Sequence, residues 1–138
     1  MRRPGRRHRF LDRLKRAAAI AALALVAACG GYGDDITAVK QADATPGTSN
    51  DAWVDEIAGA RGHVDWSASK DSGYDNPDIV AVVAKIDRPS AGGQDHKIEL
   101  HFIHNRQTRK VALDNVVVDG KPQGLLGGTL NLMLLQLQ

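Results

Sequence analysis

Three histidines, His96, His101 and His104, lie close together in the chain. Imidazole nitrogens grouped in this way raise the question of a metal centre. Side chains alternate along a strand, however, so positions 101 and 104 are expected on opposite faces with no shared metal vertex, and no metal ligand is assigned. Asp71, Asp75 and Asp78 gather carboxylates in a stretch that also holds Gly73 and Pro77. Calcium takes such oxygen ligands, but the EF-hand pattern fails because Pro77 stands where glycine is required and no Glu closes the loop. Ser67 and Ser69 are near Asp65 and His63, the residue types of an acyl-transfer relay. Residues this close on one strand are expected to divide between its two faces, which would prevent a relay. No Gly-x-Ser-x-Gly elbow occurs. Arg61-Gly62 and Gly127-Gly128 lack the strand-to-helix setting of a phosphate loop. Cys29 is the one thiol of the chain, which excludes an internal disulfide framework and a Cys-based zinc cluster. These residues therefore imply no catalytic residue, no metal and no cofactor.

The surroundings of Cys29 are more informative. Eight of the first sixteen residues are Arg or Lys, opposed only by Asp12, and Ala17 to Ala28 (AAAIAALALVAA) is uncharged and apolar. Twelve such residues are too few to cross a hydrocarbon core that needs about 20. A basic segment followed by a short apolar one is the pattern of a secretory signal peptide. Arg6-Arg7-His8-Arg9-Phe10-Leu11 departs from a twin-arginine export signal. Phe10 and Leu11 sit one residue too far from the arginine pair, and no Ser or Thr precedes it.

Val26-Ala27-Ala28-Cys29 resembles the lipobox that closes the type II signal peptide of bacterial lipoproteins, an aliphatic residue and two small residues before an obligatory Cys. The resemblance implies that residues 1–28 are removed and that Cys29 becomes a lipidated amino terminus, carrying palmitate-type acyl chains. Several chains on one residue hold a membrane stably where one holds it marginally. Gly30 follows the Cys. In that family an Asp there retains the protein in the inner membrane, so its absence implies the outer membrane, facing the periplasm, with the inner membrane as the alternative.

Loss of residues 1–28 inverts the charge. The whole chain has 18 basic and 16 acidic residues, and from Cys29 onward ten basic and fifteen acidic residues remain, a formal charge of −5. A nucleic-acid binder needs a basic surface that releases counterions, so no nucleic-acid partner is expected. Arg106, Arg109 and Lys110 form the one local basic cluster and read as a solvated turn.

The 138 residues allow one ordinary domain. Residues 29–50, rich in Gly, Asp, Thr, Ser, Ala and Pro, read as a flexible lipid-anchored tether with an r.m.s. reach of roughly 25 Å. Residues 51–138 read as a single periplasmic domain. Ser49-Asn50-Asp51 supplies N-cap chemistry, Trp53, Ile57 and Ala60 make one apolar stripe, and Gly62 offers a stop, which predicts a helix over 51–60. His63 to Ser67 predicts a short strand carrying Val64 and Trp66 on one side. Ile79 to Ile86 is β-branched and predicts a central strand. Lys97 to His104 alternates, with Ile98, Leu100 and Phe102 facing the core and Lys97, Glu99 and His101 facing water. Arg109 to Val118 predicts its antiparallel partner, and the apolar phase slips after Leu113, as a β-bulge near Asp114-Asn115 would require. Asp119-Gly120 signals a tight turn.

Leu130, Leu132 and Leu134 alternate as in a strand, but Leu, Met and Gln favour a short closing helix capped by Thr129. Seven leucines between 125 and 137 need a cover. The fold class expected is α+β: a small antiparallel meander of three to four strands, with a helix before it and a short helix after it.

This pattern predicts a membrane-anchored lipoprotein whose small noncatalytic domain binds a protein or cell-envelope component. The sheet's open face around Lys97, Glu99 and His101, or the leucine-rich tail, would provide the surface. The competing reading is a periplasmic enzyme or enzyme inhibitor with a site in the 67–78 loop.

Overall fold

A computed structural model describes residues 31–128 and Leu132. Residues 32–138 form one compact unit; residues 1–31 are a separate one, of which only Gly31 is described. Helix α1 (Gly33–Gln41) comes first, then a two-stranded ribbon of β1 (Asp43–Thr45) and β2 (Thr48–Ser49) turning at Gly47, and helix α2 (Asn50–Ala58). Strands β3 (His63–Ser69), β4 (Ile79–Arg88), β5 (His96–Asn105), β6 (Lys110–Val118) and β7 (Lys121–Pro122) form a five-stranded antiparallel meander in chain order. Residues 124–128 and 132 are helical (α3). The α+β class is therefore as expected, and the meander has five strands, the last of two residues, where three to four were anticipated.

Alternation decides which face of the sheet is covered. Val82, Phe102 and Leu113 are cross-strand partners, as are Ala84, Leu100 and Val116, and these rows join Val54 and Ile57 of α2, Val39 of α1 and Leu132 in one core. Trp66 of β3 stacks near Phe102, ring centroids 6.0 Å apart, at the margin of that core. Both tryptophans pack against the core, in line with the anchor role their size suggests. The phase slip in β6 is a bulge: Phe102 pairs with Leu113 and His101 with Asn115, leaving Asp114 as the extra residue. Without it Val116 would point to solvent; with it Val116 is fully buried. Asp119 (φ 51°) and Gly120 (φ 77°) form the two-residue turn between β6 and β7, both in the left-handed region that such a turn requires.

Helix α2 begins where its cap chemistry places it, with the Ser49 hydroxyl accepting the Ala52 N–H at 3.3 Å. It stops at Gly59 rather than at Gly62. Gly62 instead lies against the Ala58 carbonyl, where any Cβ would collide.

The tether reading of residues 29–50 is corrected by the structure, and the domain starts at 32 rather than 51. Val39 is fully buried and Tyr32 and Ile36 pack beside it, so α1 is part of the core. The junction is fixed by two hydrogen bonds from buried Asn50: its side-chain amide donates to the Val39 carbonyl at 2.9 Å and its backbone N–H to the Ala42 carbonyl at 2.8 Å. A second correction concerns α3, which begins at residue 124 rather than at Thr129. It includes Gly128, whose missing side chain lets the helix lie against Val116. Thr129 itself, Leu130 and Leu134 fall outside the described residues.

Candidate functional site

Each described histidine faces its own carboxylate. His63 Nε2 lies 3.5 Å from Asp65, His96 Nδ1 2.8 Å from Asp119, His101 Nε2 3.0 Å from Glu99 and His104 Nδ1 2.8 Å from Asp35. The three histidines of β5 are thus dispersed. His101 is on the open face, His104 is on the core face at the far end of the strand, and His96 is at its start beside the β6–β7 turn. No three His, Cys, Asp or Glu among the described residues group as metal ligands. The expectation that Ser67 and Ser69 part from His63 and Asp65 is wrong in its geometry. All four have the same parity on β3 and are exposed on one face of an edge strand. Ser67 still stands about 14 Å along the strand from His63, and the pair His63–Asp65 is largely in water.

The 67–78 loop is organised by its own turns. Asn76 Oδ1 accepts the Asp78 N–H at 2.9 Å, and the Tyr74 hydroxyl donates to Asp114 at 2.7 Å, so the bulge residue of β6 moors the loop. Donation to a carboxylate raises the Tyr74 hydroxyl above its ordinary pKa. Asp71, Asp75 and Asp78 are exposed or half-exposed and none contacts a histidine. Lys97, Glu99 and His101 lie on the open face as expected, with Glu99 in a row Asp65–Lys85–Glu99–Val117 and His101 in a row Ser67–Val83–His101–Asn115. Of the tail leucines, Leu126 is 91% and Leu125 48% exposed, while Leu132 is buried. Cys29 falls outside the described residues.

Two constellations escaped the sequence reading. The first is buried: Asp35 of α1, 2% exposed, accepts from Arg106 Nε at 3.0 Å and Nη2 at 2.6 Å as well as facing His104. Arg106 also lies 5.6 Å from the Tyr32 ring. The Arg106 bonds, then that to His104, hold the Asp35 carboxyl below its ordinary value against the opposing effect of burial. A fork of this kind fixes α1 to the end of β5. Arg106 is thus an ion-pair partner rather than a solvated turn charge, and the partners lie 71 residues apart, beyond any local signal.

The second is a cavity of about 290 Å³ at the opposite end of β5, where α2 leads into β3 and β4 leads into β5. Arg61, Arg88 and His96 line it, together with Ser90 and small residues including Gly59 and Gly92. Arg88 Nη1 donates to the Ile57 carbonyl at 2.6 Å, so the last turn of α2 holds that guanidinium in place. His96 and the Lys97 N–H hold the Asp119 carboxyl below its ordinary value, which keeps that charge engaged with the wall. The clustered arginine, imidazole and glycine were visible in the chain only as separate turn residues.

Comparison of the chain with known protein families, with curated proteins and with solved structures finds no match.

Proposed function

We propose that the protein is a membrane-anchored lipoprotein whose small noncatalytic domain binds a protein or a cell-envelope component at the periplasmic side of the outer membrane. The observation that carries this reading is the succession of an Arg-rich segment, twelve apolar residues and Val26-Ala27-Ala28-Cys29. The fold adds a length: with the domain starting at Tyr32, only Cys29, Gly30 and Gly31 remain as a linker, about 10 Å of extended chain. Binding rather than chemistry is supported by the four described histidines, which pair with four different carboxylates at separate places and do not converge on one site.

The test is metabolic labelling with a tagged palmitate. The wild-type chain should take up label and fractionate with membranes, and Cys29→Ser should lose both. Undiminished labelling of Cys29→Ser would overturn the anchor.

A further inference from the structure

We propose that the cavity between the α2–β3 turn and the β4–β5 loop is a binding site for a small oxyanion ligand, one carrying a phosphoryl or carboxylate group. This goes beyond the anchored-lipoprotein reading and does not depend on it, since it rests on the folded domain alone.

The wall of the cavity contains two guanidinium groups, one imidazole and no carboxylate. The two carboxylates next to this wall lie outside the lining and are already engaged, Asp119 by His96 and Asp95 by the Ser90 N–H, so Arg61 and Arg88 are the cationic groups that face the space. Arg88 is pinned by the Ile57 carbonyl, which spares a ligand the cost of ordering that side chain. Arg61 has no such structural duty: it is exposed and has no ion pair among the described residues. A guanidinium presents planar paired N–H donors that match the oxygens of phosphate or carboxylate. The imidazole of His96 is oriented through Nδ1 by Asp119, a common way to set the direction of the other ring nitrogen. The N–H groups of Gly59 and Gly92 already donate to the Asp55 carbonyl and the Ser90 hydroxyl, so the cationic side chains rather than the backbone would hold a ligand oxygen. A volume of about 290 Å³ is at the lower end of small-molecule sites, which selects a small anion over a macromolecule.

The experiment titrates inorganic phosphate, and succinate in parallel, into the full chain in detergent micelles while amide NMR shifts are followed. Saturable shifts confined to Gly59–Gly62, Ser90–Gly93 and His96 are expected with at least one of the two anions, and the preferred anion identifies the ligand group. Arg61→Ala should weaken that binding at least tenfold. Arg109→Ala, at the other end of the sheet, should leave it unchanged, as should Cys29→Ser, which separates this site from the anchor. Arg61→Gln replaces the alanine variant if that one does not fold. Absence of saturable shifts with both anions, equal affinity in the Arg61 variant, or equal weakening by Arg109→Ala would overturn the site.

Discussion

Asp35 keeps a charge where water scarcely reaches it. Two bonds from Arg106 and one from His104 replace its hydration, so removing the carboxylate strands a buried imidazole and a partly exposed guanidinium at once. Breaking a fully buried pair costs 3–5 kcal/mol; because Arg106 retains contact with solvent, Asp35→Ala should cost about 2–3 kcal/mol in denaturant unfolding. A double-mutant cycle with Arg106→Ala should return a measurable coupling, and strict additivity would refute the clamp. The pH dependence has a defined sign. The folded carboxyl titrates below the unfolded value of about 3.9, so its contribution is complete at neutral pH and is lost as pH falls below about 4. Thermal melts of Asp35→Asn should therefore be less sensitive to acid than wild type in that window, and parallel acid profiles would count against this assignment.

Among the elements, the sheet was the legible part. Single-sided alternation in Lys97–His104 and the β-branched run from Ile79 specify strands without reference to anything distant, and the slip after Leu113 placed the bulge near Asp114-Asn115, where the register makes Asp114 the extra residue. Helix α2 was readable for the same reason, since Ser49 and the Trp53–Ile57 stripe are local. Helix α1 was not recognised, although Tyr32, Ile36 and Val39 have the same i, i+4, i+7 spacing as that stripe. Its inward face also contains a carboxylate, and a buried Asp reads as solvent-facing until its partner on β5 is known. The start of α3 was masked by glycine that serves close packing on Val116 rather than chain reversal. The cavity residues come from the α2–β3 turn and from the β4–β5 loop with its flanking strand ends, and no periodicity links such segments. Helix α1 makes a prediction at this scale. A fragment of residues 31–138 should melt cooperatively by circular dichroism, whereas 51–138 should not, because it lacks Val39, Asp35 and Asn50. A cooperative melt of the shorter fragment would show that α1 is dispensable.

For the whole molecule, the distribution of charge matters more than its total. The chain's formal +2 is set by residues 1–28, and the residues from Cys29 onward sum to −5. Within that stretch Arg106 is paired to Asp35, and Arg61 and Arg88 face the cavity. A form beginning at Cys29 should consequently show no retention of duplex DNA in gel shift even at low ionic strength, where basic surfaces bind most strongly. A salt-sensitive complex would show that this charge argument is wrong.

The position of Tyr32 and Asp35 also gives the domain a direction in which it can be pulled. In a protein held by Cys29, tension enters at Tyr32 and passes first into the Tyr32–Arg106 contact and the ionic fork beneath it. Helix α1 is nine residues long and has little stability of its own. It would peel from the sheet before the strands part, leaving the meander to bear the load after its first helix has yielded.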